Sequence, residues 1–287
     1  MSTNGISLKT IKKKDLILKI VAYAVSILLA VLLLVPFIDT LKGIFGSTIT
    51  YAVQGPSNTV QMVTEKRDGF MTWQEFKSYF DFATLNGFKN SLIVTVLSTI
   101  FCIYVSPLTA YAIIAYEWKL KRVFNKLILV VVMIPSTVST IGFYQLVWKF
   151  HMINRLSMLI IPAIASPVTV FFMRMYLQST FSKEIVESAR LEGAGEFRIF
   201  NSIILPIMKP AIATQTIFCF VSTWTTTLVP SIILIDSKSK TLPILSETTY
   251  GFTAHGAELL LCIPPIILYA FLSKHIVEGM TLGSVKA

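Results

Sequence analysis

The sequence predicts an all-α, polytopic membrane protein with six transmembrane helices. Hydrophobic residues make up 54% of the 287-residue chain, charged residues only 14%, and the mean hydropathy is +0.71. Soluble domains carry about 25% charged residues, so this composition excludes an ordinary soluble protein. Apolar segments of about 20 residues, the length that crosses the hydrocarbon core of a bilayer, recur along the chain. The predicted spans are residues 16–38, 87–115, 127–150, 158–176, 211–235 and 256–272.

These spans divide the chain into three parts. Residues 1–38 are a basic tail and a first span, which we interpret as a retained helix because no small-residue cleavage site is identified. Residues 39–86 form a long extracytoplasmic loop, with a short interfacial helix predicted at 70–76. That helix fits a binding surface and a plain connector equally well. Residues 87–287 hold the other five spans, the loop 183–210 and a C-terminal tail.

Basic residues determine the predicted orientation, because cytoplasmic loops are enriched in Lys and Arg. With both termini in the cytoplasm, 16 of the 25 basic residues fall on inner segments. The 183–210 loop then faces the cytoplasm. The net charge of +10 is largely explained by this topology, so no nucleic-acid partner is predicted.

The 183–210 loop is predicted to form two short helices separated by Gly193-Ala194-Gly195, since small residues permit the positive φ of a sharp turn. Leu205-Pro206 is expected to end the second helix. The apolar side of such a pair must dock on the chain's own helix ends or on a partner protein; a solvated loop without a partner is the alternative. Helical spacing places Ile185, Ala189 and Glu192 on one face of the first helix and Glu184, Glu187 and Leu191 on a neighbouring face. In the second helix, Phe197, Phe200 and Ile204 share a face.

The residues of this loop resemble the EAA loop of permease subunits of binding-protein-dependent ABC importers. The matching segments are Glu187-Ser188-Ala189, Glu192-Gly193-Ala194, Ile203 and Leu205-Pro206. The chain departs from that pattern in having Ser188 where the family has Ala, and Glu192 where Asp is more usual. Residues 278–287 are similar to the ending of carbohydrate-type permeases, of the maltose/oligosaccharide branch. The resemblance covers most of the chain from about residue 87 onward.

The resemblance implies an assembly in the lipid bilayer of the bacterial cytoplasmic (inner) membrane. This chain would join a second, homologous permease subunit, an ABC ATPase dimer and an extracytoplasmic solute-binding protein, which the outer loop 236–255 would approach. ATP and Mg would bind to the ATPase, and this chain itself would hold no cofactor. The 183–210 loop would be a cytoplasmic coupling helix-turn-helix, with Glu187 contacting a basic groove of the ATPase. The implied coupling residues are Glu184, Glu187, Ser188, Ala189, Glu192, Gly193, Ala194, Leu205 and Pro206.

No catalytic or metal site is predicted, so the chain is not expected to be an enzyme. It lacks a Gly-x-x-x-x-Gly-Lys-Ser/Thr phosphate loop, and it lacks a Gly-x-Ser-x-Gly nucleophile motif. Its three histidines lie far apart in the sequence and offer no metal-binding pattern. Cys102, Cys219 and Cys262 lie in apolar runs, and we interpret them as small core residues.

Polar side chains inside the predicted spans are the candidates for a solute path, because such residues face other helices or water rather than lipid. They are Gln145, Thr223, Trp224, Thr227 and Glu258. Thr216, Thr223 and Thr227 form a predicted stripe on the fifth span, which fits helix packing as well as a solute path. Glu258 lies near the outer end of its span, where it fits equally well a side chain that reaches water. Pro135 is predicted to kink the third span.

The predicted function is the import of a carbohydrate, an oligosaccharide by resemblance, through ATP-driven alternating access. One alternative is an ABC permease for a polyol or glycerol-phosphate-type solute. Another is an ion-driven secondary transporter, although such proteins typically show inverted repeats and helices broken at mid-membrane, of which the sequence gives no clear sign. Thr225, Thr226 and Thr227 replace the polar or acidic residues that often follow the family's tryptophan, so solute specificity is not transferred from the resemblance.

Overall fold

The structure is a computed structural model that describes residues 8–54, 60–66, 69, 72–78, 80–248 and 252–284. The chain divides into two compact units, Met1–Trp73 and Gln74–Ala287. The beginning of the predicted basic tail, the end of the C-terminal tail, and Phe70 and Met71 of the predicted interfacial helix lie outside the described residues. A short helix, α2, follows at Trp73–Ser78.

The first unit contains one long helix, α1, at Leu8–Phe45. Its segment Leu18–Asp39 is long and apolar enough to cross a membrane, and none of it is buried. An apolar helix that buries no face has the character of a lipid-exposed span. This agrees with the predicted first span at 16–38.

A β-hairpin completes the first unit, and the sequence analysis did not predict it. Strand β1, Thr48–Gln54, pairs with strand β2, Val60–Lys66, in an antiparallel register that places Thr48 opposite Lys66. Both segments are rich in Thr, Val, Ile and Tyr, which favour strands, and Gly-Pro-Ser-Asn follows β1 in the sequence. The hairpin lies in the segment predicted as an extracytoplasmic loop, and the regular elements of the described residues outside it are helical, as predicted.

The second unit is helical, and the N-terminus of its longest central helix is capped by a side chain. The Asp81 carboxylate accepts a hydrogen bond from the Thr84 backbone N–H at 2.7 Å, which satisfies one of the free N–H groups of the first turn. The helices are α3 Phe82–Ala115, α4 Lys121–Met133, α5 Ser136–Lys149, α6 Ser157–Ile164, α7 Pro167–Thr180, α8 Lys183–Leu191, α9 Glu196–Ile207, α10 Lys209–Thr225, α11 Leu228–Ile233, α12 Leu242–Thr248 and α13 Phe252–Ser284.

The number of spans depends on how the bent helices are counted. Two further helix pairs pass the length and composition test only as bent units, α4 with α5 at 101° and α9 with α10 at 81°. The described residues therefore hold four to six spans, and the predicted number of six is the upper value. The four unambiguous segments are Leu18–Asp39, Phe82–Ala115, Ser157–Thr180 and Gly256–Ser273.

The bend between α4 and α5 lies at the predicted proline. Pro135 precedes the first residue of α5, and the bend of 101° makes this a break in the helix rather than a mild kink. A proline lacks the N–H that would continue the α4 hydrogen-bond ladder, and its ring clashes with the preceding turn.

The second loop helix ends one residue beyond the predicted Leu205-Pro206. Helix α9 continues to Ile207, and the chain bends by 81° at Met208, before α10. A π-turn at Phe200–Ile204 directly precedes this proline segment. The wider π-turn changes which carbonyls are available for bonding, so that a proline can be accommodated where a regular α-helix would break.

The core that positions the loop lies between α3, α7, α8 and α9. Tyr111 on α3 and Leu177 on α7 are buried in one cluster with Val186 on α8 and Phe200 on α9. A second cluster joins α10, α12 and α13 around Trp224. Many other apolar side chains of α3, α4, α5 and α7 are exposed, as expected for helices that meet lipid or another membrane subunit.

Candidate functional site: the α8–α9 pair and a neutral cavity

The turn between α8 and α9 depends on one glycine. Gly193 has φ +81°, a left-handed value that residues with a Cβ adopt only at a cost. The Ala194 N–H donates to the Ala189 carbonyl at 2.9 Å, and the Gly193 N–H donates to the Arg190 carbonyl at 3.0 Å. These two bonds form a Schellman motif, which terminates α8. Gly195 has φ −69°, so within the predicted Gly-Ala-Gly turn it is Gly193 that supplies the positive φ.

The α8–α9 pair buries one side against α3 and α7. On α8, Val186 is only 3% exposed and Ala189 9%. On α9, Ile199, Phe200 and Ile204 are almost completely buried. These side chains belong to the same cluster as residues of α3 and α7, so the pair is anchored to the helical bundle by apolar packing.

The faces predicted from spacing are only partly buried against the bundle. Ala189, Phe200 and Ile204 are buried, whereas Ile185 is 48% exposed, Phe197 is 74% exposed and Glu192 is exposed. Each helix carries apolar residues at adjacent positions, so spacing alone allows two overlapping faces. Contact with α3 and α7 decides which of the two is buried.

The opposite side of the pair is exposed and mixes acidic with apolar groups. Glu187 and Pro206 are exposed, whereas Ala194 and Leu205 are half-buried. Glu184, Glu187 and Glu192 are exposed on the pair and contribute carboxyl groups to its surface. A partner with basic and apolar groups would complement it. A shallow depression of about 380 Å³ on this side is lined by Glu184, Ile185, Ser188, Ala189, Glu192 and Ile203.

A cluster around Glu196 connects the helix pair to the C-terminal end of α3, which is predicted to face the cytoplasm. The Glu196 carboxylate accepts a hydrogen bond from Arg190 Nε at 2.7 Å and from the Tyr111 hydroxyl at 3.2 Å. The Tyr116 hydroxyl donates to the same carboxylate. The Arg190 guanidinium also lies 5.6 Å from the centre of the Tyr116 ring. We call these four residues the Glu196 cluster.

The Glu196 cluster favours one protonation state. Hydrogen bonding from Arg190, with further bonds from the tyrosine hydroxyls, lowers the pKa of the Glu196 carboxyl below its ordinary value. Burial and the nearby carboxylate raise the pKa of Tyr116. The ion pair is therefore formed at neutral pH with both tyrosines as neutral donors. The sequence analysis missed this cluster, because Arg190 and Glu196 lie on different helices and no single period connects them.

A cavity of about 440 Å³ lies among α3, α5, α6, α10, α11 and α12. Among the described residues that line it, none is Asp, Glu, Lys, Arg or His. The aromatic rings of Phe143 and Trp224 contribute to its wall, together with aliphatic side chains and prolines. Its hydroxyl-bearing residues are Ser91, Thr95, Ser139, Thr140, Ser222, Thr223, Thr226 and Thr241.

Trp224 is a fixed part of the cavity wall. Its side chain is fully buried, and its Nε1 donates to the Leu261 carbonyl of α13 at 2.8 Å. Its ring meets Phe88 edge-on at 5.7 Å between centroids and stacks on Phe220 at 5.8 Å. Since its one N–H is already bonded and its ring is covered by Phe88 and Phe220, Trp224 supports the cavity wall and offers no donor to its interior.

Residues 234–241 form a segment, here called the strap, that is held near both ends by hydrogen bonds between asparagine side chains and its backbone. On α3, the Asn90 amide donates to two carbonyls of the strap at 2.9 and 3.0 Å. The Asn154 side-chain oxygen, between α5 and α6, accepts from two N–H groups of the strap at 2.7 and 2.9 Å. Thr241, the last residue of the strap, lines the cavity. The strap therefore brings the first residues of the predicted outer loop, 236–255, to the cavity wall.

The structure brings only part of the predicted solute path together. Thr223 and Trp224 line the cavity. Thr227 does not line it, and the predicted threonine stripe is interrupted where α10 ends, two residues earlier. Gln145 lies in a separate depression on α5, and Glu258 is half-buried on α13, outside the cavity lining. The serine and threonine residues of α3 and α5 were missed, since isolated hydroxyls in apolar helices usually bond their own backbone.

Comparison with known proteins identifies the family. Residues 103–280 match the family described as "Binding-protein-dependent transport system inner membrane component". An arabinooligosaccharides transport system permease protein of Halalkalibacterium halodurans is 31% identical over 205 residues, which cover 69% of this chain and 73% of that protein. A melibiose/raffinose/stachyose import permease protein of Bacillus subtilis is 31% identical over 225 residues, which cover 75% and 82% respectively.

A solved structure supports the same conclusion for the fold. The crystal structure of a bacterial ABC transporter involved in the import of the acidic polysaccharide alginate aligns with a TM-score of 0.71, covering 95% of this chain and 99% of that chain at 20% identity. At this identity the likeness concerns the fold alone. The family match, the similar permeases and the membrane-spanning helices agree with one another. The chain therefore belongs to the family of inner-membrane permease components of binding-protein-dependent ABC importers, and it is a transport component rather than an enzyme.

Proposed function

We propose that this chain is a permease subunit of an ABC importer that moves an oligosaccharide into the cell by ATP-driven alternating access. The observation that carries the proposal is the α8–α9 pair, which is buried on one side against α3 and α7 and exposes an acidic and apolar surface on the other. The oligosaccharide is proposed because the similar permeases are named for arabinooligosaccharides and for melibiose, raffinose and stachyose.

The exposed side of α8–α9 is the proposed docking surface for the ATPase. Glu187 places a carboxylate on that surface, where a basic groove of the partner would neutralise it. ATP and Mg bind to the ATPase in this proposal, and this chain contributes no ligand to them. Closure of the ATPase dimer then displaces the helix pair as a lever.

The buried side of α8–α9 transmits that displacement to the spans. Val186 and Phe200 belong to one packed cluster with α3 and α7, and Glu196 holds the end of α3 through Tyr111. Packed interiors resist compression, so a moved helix pair displaces the helices on which it rests. The expected result is a rotation of the spans that opens one side of the cavity and closes the other.

The remaining parts of the assembly follow from the family and from topology. A second, homologous permease would cover exposed apolar faces of the spans, and the solute-binding protein would approach the outer loop that contains the 234–241 strap. The distribution of basic residues predicts that both termini lie in the cytoplasm. This orientation puts the Glu187 surface on the side where ATP is available.

The first test is a pull-down of the tagged full-length chain from its native membranes in mild detergent, with mass spectrometry of the proteins that accompany it. We expect an ABC ATPase and a second permease. The Glu187→Lys variant should lose the ATPase and keep the permease. Glu247→Lys is the matched control, because it reverses an exposed carboxylate on α12 instead. Recovery of the stable wild-type chain alone would contradict the proposal and favour an ion-driven transporter.

An uptake panel separates the alternatives for the solute. Membrane vesicles that contain the complete importer and its binding protein are supplied with ATP and offered neutral oligosaccharides, polyols and glycerol 3-phosphate. We expect ATP-dependent uptake of an oligosaccharide. Uptake of a polyol or of glycerol 3-phosphate alone would replace the proposed solute but retain the importer.

A further inference from the structure

The cavity offers a chemical environment that distinguishes neutral from charged solutes. Its described lining contains hydroxyl, aromatic and aliphatic side chains and no ionisable Asp, Glu, Lys, Arg or His. Lys238 and Lys240 belong to the adjacent strap, but only their backbone carbonyls are used to hold it, and neither side chain lines the cavity. A charged solute in this space would lose its hydration without meeting an opposite charge.

Two buried hydroxyl groups in the cavity wall have no hydrogen-bond partner among the described residues. Thr95 is 1% exposed and Thr241 is 4% exposed, and the Oγ1 of each is buried without a hydrogen bond. Buried polar groups are normally paired, so these two need an explanation. Both residues line the cavity, Thr95 from α3 and Thr241 from the end of the strap. A rotation about χ1 exchanges the methyl and hydroxyl groups between staggered positions and can turn either oxygen toward a bound molecule.

Other hydroxyls of the cavity are held by their own helices but can still accept. The Thr140 hydroxyl donates to the Ser136 carbonyl at 2.9 Å, which uses its hydrogen and leaves a lone pair. The Ser91 oxygen, by contrast, accepts from the Leu242 N–H at 2.8 Å and keeps its own hydrogen to donate. The wall therefore presents both donors and acceptors of the neutral kind, which complement the hydroxyl groups of a sugar.

We propose that this cavity binds one uncharged, polyhydroxylated unit of the transported solute, and that Thr95 and Thr241 supply hydrogen bonds to it. The ring of Phe143, which lines the cavity and is only half-buried, provides the apolar face against which a sugar ring packs. The same cavity excludes uronic acids, sugar phosphates and other anions. This inference rests on the proposed importer function and narrows its solute to a neutral class.

The test uses the complete importer, purified with its partners and reconstituted in vesicles with its binding protein. ATP-dependent uptake is measured for stachyose and raffinose as neutral probes, and for an oligouronate and glycerol 3-phosphate as anionic probes. We expect uptake of at least one neutral probe. Uptake of the anions should be at least about tenfold slower, because an anion would lose its hydration in the cavity without meeting an opposite charge. A tenfold difference corresponds to about 1.4 kcal/mol. Two outcomes in a complex that hydrolyses ATP would overturn the inference. One is uptake of an anionic probe at a rate similar to that of a neutral probe, and the other is failure to take up either neutral probe.

Isosteric variants test the two threonines. Thr95→Val and Thr241→Val keep the side-chain shape and remove the hydroxyl, and we expect each to raise the KM for the neutral probe by about threefold to tenfold, the value of one hydrogen bond. Thr225→Val is the control, because Thr225 is exposed and lies outside the cavity lining. Unchanged KM in both cavity variants would overturn the assignment of these residues.

The two levels of the argument fail differently. If the purified complex contains no ATPase, the proposed importer function is wrong, and the proposal that the cavity binds an imported solute loses its basis. If the complex hydrolyses ATP and imports an anion, the importer stands and the neutral cavity is wrong. Thermal unfolding of each variant in the same detergent separates loss of solute recognition from loss of fold.

Discussion

The α8–α9 pair and the neutral cavity differ in the charge of their side chains. The helix pair exposes carboxylates and is fastened to α3 by a charged cluster around Glu196, in which the carboxylate is bonded by Arg190 and Tyr111. The cavity wall has no ionisable side chain within the described residues, and two of its buried hydroxyls have no hydrogen-bond partner. In the proposed lever, the polar groups that face α3 are paired, which stabilises this contact. In the proposed solute site, buried hydroxyls without partners leave hydrogen-bonding capacity unused.

Substitutions in the two regions should have different effects, because the proposed roles of the helix pair and of the cavity differ. Changes at the helix pair should alter coupling between ATP hydrolysis and uptake, with the apparent affinity for solute preserved. Changes in the cavity should alter the apparent affinity, with assembly of the ATPase preserved. The following predictions test this separation.

The largest effect is expected for Gly193→Val. A β-branched residue at φ +81° is strained by about 2 kcal/mol or more, which would shift the turn and misplace Glu187. We expect ATP-dependent uptake to fall by at least about tenfold with KM little changed. Gly195→Val is a matched control, since its φ is −69° and no atom lies within 4 Å of an added Cβ. Equal losses in the two variants would show that side-chain size, not backbone conformation, is responsible.

A somewhat smaller effect is expected for Trp224→Phe, at the cavity. This change leaves the Leu261 carbonyl without its donor, at a cost of about 1–3 kcal/mol. We expect a lower thermal midpoint of unfolding and a raised KM, while the ATPase still copurifies. Trp118→Phe serves for comparison, because Trp118 is 40% exposed and lies near the start of α4. Loss of the ATPase from the Trp224 variant would break the distinction between the two regions.

The Glu196→Ala change should weaken coupling by a smaller amount. It removes the acceptor shared by Arg190 and two tyrosines, but the pair is about half exposed, which limits its contribution to about 1–2 kcal/mol. We expect ATP hydrolysis to continue with about threefold to tenfold less solute imported per ATP. Glu117→Ala breaks an exposed i,i+4 ion pair with Lys121 and should change this ratio less. A normal ratio in the Glu196 variant would remove the cluster from the proposed lever.

The smallest predicted effect is a dependence on acidity. The folded pKa of Glu196 is lowered relative to its ordinary value of 4.5, so its contribution to stability is present above that value and is lost as the pH falls through the lower folded pKa. Thermal unfolding measured from neutral pH to below about 4 should therefore decline less steeply in Glu196→Gln than in the wild type. Identical slopes would mean that the ion pair contributes nothing measurable.

Several features could be predicted from the sequence because they depend on local or compositional patterns. The apolar segments give the membrane class, since about 20 residues are needed to cross the hydrocarbon. The turn at Gly193 is predictable because a positive φ favours glycine, and the break at Pro135 because proline lacks an N–H. The loop pattern from Glu187 to Pro206 indicated the family that the comparisons confirm.

Tertiary structure decided what periodicity could not. Spacing allowed Ile185 to dock as readily as Val186, and only the position of α3 and α7 buries the latter. The Glu196 cluster and the neutral cavity each combine residues from several helices, so no local pattern could show them. Sequence patterns describe what one element can bury, whereas long-range packing determines which neighbour it meets and which polar groups are left for a solute.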